Sequence, residues 1–221
     1  MELKEAVKNR RSIRSFSSRP LEKVIIEEII SDALWAPSWG NTQPWEIIVI
    51  TGDLLATFKE ENRHAAMSGK QPDPDIPMPL EWPEINKNRY RDVGKRTLEA
   101  LSIPRDDADA RLNFYGHMLR LFDAPVLLLI TVDKAISLEY SMLDAGLFIQ
   151  TLCLLAHERG LGTCIMAVAV QYPDILRTLF EIQDTKRIVI GAALGWPDQG
   201  SPANTFERAR GNRDEFVRWV E

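Results

Sequence analysis

A chain of 221 residues fits one large domain or two small ones, and no Gly/Ser-rich linker or compositional break divides it, so a single domain over residues 1–221 is expected. Lys and Arg number 27 against 32 Asp and Glu, and a net charge of −5 gives no general electrostatic reason to bind nucleic acid or an anionic membrane. The opening Met1-Glu2-Leu3-Lys4-Glu5 carries acids and no apolar run, which argues against a secretory or transit segment and sets a cytoplasmic expectation.

Residues 2–9 read as a short helix. The segment Arg10-Arg11-Ser12-Ile13-Arg14-Ser15-Phe16 then concentrates three guanidinium groups in an acidic protein. If it is extended, Arg10, Ser12 and Arg14 share one face while Arg11 and Ile13 take the other. At about 3.3 Å per residue, Arg10 and Arg14 are separated by roughly 13 Å of backbone, which suits an elongated ligand with a phosphate at one end. Taken alone, the same residues equally describe a solvated basic surface, a localisation tag or a nucleic-acid patch.

Leu21, Val24, Ile25, Glu28, Ile29 and Leu34 mark a longer helix that stops before Pro37. Trp45 to Thr51 is rich in β-branched residues and closes at Gly52, as a strand does. Residues 53–64 read as helix. Five prolines between Ser68 and Pro83 rule out regular structure there and suggest a lid or wrapping loop, part of an excursion at about 66–105. Helices over 85–101 and 106–121 follow, the second opening on Asp106-Asp107.

Pro125 to Asp133 is continuously apolar, the pattern of a strand buried on both faces. Residues 138–159 form a helix apolar on nearly every side, long enough to approach a membrane span but interrupted by Glu139, Asp144 and Gln150. A buried central helix is the better reading, and its apolar surface exceeds what one small domain covers, which points to a dimer interface. Gly160-Leu161-Gly162 ends it, and Thr163 to Val170 reads as strand or extended loop. A helix over 172–180, a long strand over 187–194 and a tail helix from Asp214 to Val220 complete the chain. Strands separated by helices give an α+β sandwich, a mostly antiparallel sheet with helices on both faces.

The two cysteines, Cys153 and Cys164, lie in apolar surroundings and are expected to be reduced core residues, and no zinc spacing is present. His64, His117 and His157 are scattered without metal spacing. Asp144 reads as an acid–base residue or, preferably, as a carboxylate satisfied by backbone or partner donors. Trp39 and Trp82 fit stacking or plain packing. Asn86, Asn88, Arg89 and Arg91 suit an anionic or nitro-bearing substrate, or water. No G-x-G-x-x-G follows a strand, so a dinucleotide fold is not expected.

Three separated motifs together resemble the nitroreductase family of FMN-dependent oxidoreductases. They are Arg10 to Phe16 followed by Pro20; Ala36-Pro37-Ser38-Trp39-Gly40-Asn41-Thr42-Gln43-Pro44-Trp45, which looks like the family's P-S-x-x-N-x-Q-P-W signature; and Asp144-Ala145-Gly146 with Gln150, leading to Gly160-Leu161-Gly162-Thr163-Cys164. The resemblance covers nearly the whole chain. It implies a homodimer with two flavins at the interface, each held by both subunits. By the same resemblance Arg10, Ser12 and Arg14, with neighbouring Arg11, contact the flavin phosphate, ribityl chain and ring edge. Pro37, Ser38 and Asn41 are implied to come from the partner chain, Trp39 and Gln43 of the same signature to bind the cofactor as well, and Arg208 and Arg210 to close the phosphate site. Met166, Ala167, Val168 and Ala169 occupy the loop that lines the flavin ring in relatives, without the Glu-Gly pair that some members carry there.

The implied activity is hydride transfer from NADH or NADPH, through FMN, to a nitroaromatic or quinone-like acceptor by a ping-pong mechanism, with the flavin and no side chain carrying the chemistry. Other flavin chemistry on the same fold, such as reductive dehalogenation, enone reduction or flavin breakdown, remains open, as does a non-enzymatic flavin-binding module.

Overall fold

The computed structural model describes residues 1–221. Four strands, β1 (Trp45–Ile50), β2 (Val126–Asp133), β3 (Gly162–Met166) and β4 (Lys186–Gly195), form one antiparallel sheet in the order β1-β2-β4-β3. Eight α-helices surround it: α1 (Leu3–Asn9), α2 (Lys23–Ala33), α3 (Gly52–Met67), α4 (Glu84–Ala100), α5 (Ala108–Leu119), α6 (Leu138–Glu158), α7 (Pro173–Phe180) and α8 (Pro202–Thr205). The α+β sandwich anticipated from the sequence is therefore the architecture, with helices on both faces.

Strand β2 shows why the run Val126 to Ile130 is apolar without alternation. Val126, Leu128 and Ile130 point into one core, where Ile29 of α2 and Phe148 and Leu152 of α6 meet them. Leu127 and Leu129 point into the other, against Leu55 and Phe58 of α3 and Leu176 of α7. Period-two side chains on a strand covered on both faces require apolar residues at every position. Each fully buried Leu contributes roughly 1.5–3 kcal/mol.

Helix α6 has the length and composition of a membrane span, but within this chain it is a core helix on one side only. Asp144, Phe148, Leu152 and Ala156 are buried, Phe148 stacking on Trp45 at 5.0 Å, while Tyr140, Leu143 and Leu147 remain exposed. The sequence expectation of burial all round is thus met on one face by the sheet and α2, and the other face is left uncovered.

Residues 10–17 run extended beside the sheet. Ile13 N–H donates to the Thr163 carbonyl at 2.9 Å and Ser17 N–H to the Trp196 carbonyl at 2.8 Å, with bridges from Ser12 to Thr163 and Phe16 to Pro197. The approach is close because β3 begins on glycine: a Cβ at Gly162 would lie 2.5 Å from Ile13 Cγ1.

Between α3 and α4 the proline-rich chain is irregular, and its first half is tied down. Lys70 pairs with Asp174 at 2.5 Å, and Tyr172 donates its hydroxyl hydrogen to the Lys70 carbonyl. Asp75 binds Arg177 at 2.6 Å and accepts the Ile188 N–H at 2.7 Å. Beyond it, Leu80 is fully exposed.

Two local expectations are corrected. The extended reading of 163–170 holds only to Met166, since Ala167–Val170 coil into a 3-10 turn. The tail helix from Asp214 to Val220 is a single 3-10 turn, Arg213–Glu215, closed by a reciprocal Asn212–Glu215 capping box. Phe216, Trp219 and Val220 stay exposed, so no apolar face is buried to prolong a helix whose nucleus is costly. Substituting Gly162→Ala, which inserts a methyl against Ile13, is expected to destabilise the fold by about 1–3 kcal/mol, read as a lower denaturation midpoint; an unchanged midpoint would show that residues 10–16 are not packed against β3.

Candidate functional site

Two segments nearly two hundred residues apart grip one another through arginine. The Arg11 guanidinium donates to the carbonyls of Asn204 and Phe206, and the Arg208 guanidinium donates back to the carbonyls of Lys8 and Arg10. Asn204, buried, seals the join: its Oδ1 accepts the Arg14 N–H at 2.7 Å and its Nδ2 donates to the Ser15 and Asp198 carbonyls at 2.8 and 2.9 Å. The Phe206 ring sits 5.7 Å from both the Arg11 and Arg14 guanidinium carbons. The backbone carbonyls of these irregular segments are thereby satisfied by side chains, as buried carbonyls must be.

This clasp brings the arginines to one cavity of about 420 Å³. Arg10, Arg11, Ser12 and Arg14 line it from the first segment, Phe206, Arg208, Ala209 and Arg210 from the last, and Arg89, Asp92, Val93 and Arg96 from α4. Seven cations face one carboxylate. Burial, reinforced by Arg14, lowers the Arg11 pKa; burial, then Arg11, Arg210 and Arg10, lowers that of Arg208. Burial and the nearby Arg10 and Arg208 likewise push His157 below the ordinary histidine value. Arg10 Nε is buried and makes no hydrogen bond to protein. A buried donor without a partner costs about 1–3 kcal/mol, and a dianion placed among these groups would both satisfy it and offset the mutual repulsion.

The structure therefore gathers Arg10, Arg11, Ser12, Arg14, Arg208 and Arg210, as the motif reading required, but divides their work. Arg11 and Arg208 spend their guanidinium groups on backbone carbonyls, whereas Arg10, Arg14 and Arg210 keep donors for a ligand. Pro37, Ser38, Trp39, Asn41 and Gln43 do not line the cavity of their own chain. They form a loop with Gly40, Asn41 and Gln43 at positive φ. Ser38 Oγ accepts the Gln43 N–H at 2.9 Å, and the Trp39 N–H donates to Asp144 Oδ1 at 3.0 Å. Asp144 is thus a buried carboxylate satisfied by backbone, and Trp39 leans on Tyr140 with ring centres 5.5 Å apart. Met166 and Ala169 are buried while Ala167 and Val168 are half-buried, and none of the four lines the arginine cavity.

Both cysteines are buried free thiols, and burial raises the pKa of each, as inert core residues require. The sequence reading flagged Arg89 but not Asp92 or Arg96. Their spacing was the available signal: 89, 92, 93 and 96 follow i, i+3, i+4, i+7 and so share a helix face. Arg91, on another face, pairs with Glu84 at 3.9 Å, and Asn86 and Asn88 do not reach the cavity. Asn204 carried no comparable signal.

With this geometry in place, comparison with known proteins assigns the family. The family model described as "Nitroreductase family" matches residues 7–196. The chain is 34% identical to the nitrobenzene nitroreductase of Ectopseudomonas oleovorans, over 98% of this chain and 96% of that protein. It is 31% identical to the 4-nitrobenzoate reductase of Pseudomonas putida, over 97% of this chain and 93% of that protein. The crystal structure of the FMN and NADPH-dependent nitroreductase NfnB from sphigopyxis sp. strain HMH superposes with a TM-score of 0.95 at 28% identity, each chain covered completely. With a family model matched over residues 7–196 and relatives above 30% identity along nearly its whole length, the chain belongs to the nitroreductase family.

Proposed function

We propose that this protein is an FMN-dependent oxidoreductase that moves a hydride from NADPH or NADH to a nitroaromatic or quinone-like acceptor. The observation that carries the reading is the arginine cavity, with Arg10 Nε buried and unpartnered beside cations that repel one another. Arg10, Arg210 and the Ser12 hydroxyl would hold the FMN phosphate, and Arg11 and Arg208 keep the wall in place by fixing its backbone. When bound, FMN supplies a carrier that accepts two electrons from a reduced nicotinamide and releases them to the acceptor. Arg14, held through its backbone by Asn204 and by Nη1 on the Ser12 carbonyl, would favour negative charge on the ligand it faces. The names of the nitrobenzene and nitrobenzoate reductases support a nitroaromatic acceptor, and the NfnB structure supports FMN and NADPH.

A homodimer completes the site in this reading. Tyr140, Leu143 and Leu147 on the uncovered face of α6, together with Trp39, make one exposed apolar strip. Such a strip suits a second copy. Its neighbours Pro37, Ser38, Asn41 and Gln43 would then reach the partner's flavin, with Met166 to Ala169 lining the ring from its own chain. The excursion from residue 66 to 105 is assigned to cover this site, since α4 walls the cavity. The free buried thiols are consistent with a reducing cytoplasmic setting.

The protein supplied with FMN should purify yellow, bleach anaerobically with a reduced nicotinamide and recolour with a nitroaromatic; a folded protein that takes up no FMN defeats the proposal, and a flavin that neither nicotinamide reduces converts it to a binding module. Arg10→Ala and Arg210→Ala should each weaken FMN binding by about 1.5–3 kcal/mol, measured by fluorescence quenching, and unchanged affinity in both would remove them from the phosphate site. Leu143→Glu should convert the dimer to monomers in sedimentation and release FMN. Dimers that persist with flavin retained would place the interface elsewhere.

A further inference from the structure

We infer that the α4 face carrying Arg89 and Arg96 is a second anion subsite in the arginine cavity, reading the 2′-phosphate of the nicotinamide donor and so selecting NADPH over NADH. The inference rests on the FMN assignment above and concerns the cations that assignment leaves unused.

The charge count motivates it. Seven arginines and Asp92 line the cavity, and Glu99, Glu207 and Glu215 lie next to its cations. Three positive charges remain uncompensated, whereas one phosphate monoester carries at most two negative charges. The first phosphate alone leaves positive charge that a second would take up.

The geometry of α4 says where. Arg96 donates its Nε to Asp92 at 2.7 Å, one turn earlier, and makes no other hydrogen bond to protein. Both terminal nitrogens stay available, in the fork that suits phosphate oxygens. Arg89 is held from the other side: Nη2 meets Glu215 at 2.5 Å, and its guanidinium carbon lies 4.9 Å from the centre of the Phe216 ring. The tail turn that supplies Glu215 is itself fixed by the Asn212 capping box. The two arginines are therefore pre-positioned by carboxylates, which lowers the ordering entropy a ligand must offset. They belong to a different element from Arg10 and Arg210, so the two phosphate positions are built separately.

The nature of the reactants selects the occupant. A flat nitroaromatic bears no phosphate, whereas the donor does; its pyrophosphate is common to NADH and NADPH, so it is a 2′-phosphate at this subsite that would separate the two, and the probes below differ in that group alone.

The test uses FMN-loaded protein and two adenosine probes, adenosine 2′,5′-bisphosphate and 5′-AMP, titrated by calorimetry at low salt. The bisphosphate should bind about tenfold or more tightly than 5′-AMP, Arg96→Gln should bring the two to near equality, and Arg96→Lys should restore part of the gap. The kcat/KM ratio of NADPH to NADH should fall in parallel. Equal binding of both probes by the unmodified holoprotein overturns the inference. So does an Arg96→Gln protein that loses FMN affinity while its probe ratio stays intact, because Arg96 then belongs to the flavin phosphate. If Arg96→Gln does not fold, Arg89→Gln is read against the same two outcomes. Failure of the unmodified protein to take up FMN overturns the parent reading and this one with it, whereas equal probe affinities in a yellow protein overturn this one alone.

Discussion

The exchange of arginine side chains for backbone carbonyls between residues 8–16 and 204–208 is the contact on which the rest of the site depends. Neither segment is a regular element for most of its length, so neither satisfies its own peptide groups. Arg11 caps two carbonyls of the last segment, Arg208 caps two of the first, and Asn204 closes the remaining gap with three hydrogen bonds. The interaction is charge-assisted and partly buried, which makes it stronger than neutral pairing. Its geometric effect is larger than its energy, because it sets Arg10 beside Arg208 and Arg210 despite their mutual repulsion.

That repulsion has a thermodynamic meaning. Arg11 and Arg208 are easier to deprotonate than isolated guanidinium groups because burial and neighbouring cations penalise their charge. Functional sites are where such local conflicts concentrate. A cavity that is unfavourable for the protein alone is favourable for the anion that relieves it.

The half-covered helix α6 connects this cavity to assembly. Its buried face closes the core through Phe148 and Leu152, its Asp144 holds the loop of residues 37–43, and its open face presents Leu143 and Leu147. One helix therefore links sheet packing, loop conformation and the apolar strip. The loop needs that support, since Asn41 and Gln43 sit at positive φ without being glycine.

Local pattern alone identified β2, because a strand buried on both faces has no alternative to an unbroken apolar run, and it identified α2 from apolar spacing and α6 from a long run apolar on nearly every side. The three family motifs are also local; the first contains the arginines near the start of the chain, and the resemblance they establish implied Arg208 and Arg210 near its end. Pattern failed at the tail, where Asp214 to Val220 has helix-forming residues but nothing to pack against, and after Met166, where the strand ends in a 3-10 turn. Only the folded chain decided which arginines hold backbone and which hold donors free, because the partners of Arg11 and Arg208 lie about two hundred residues away in sequence. The same is true of Arg96: helical spacing puts it on a face with Arg89, but the direction of that face is set by the packing of α4 beside the clasp. Sequence fixes what each residue can bond to, and tertiary structure fixes what is within reach.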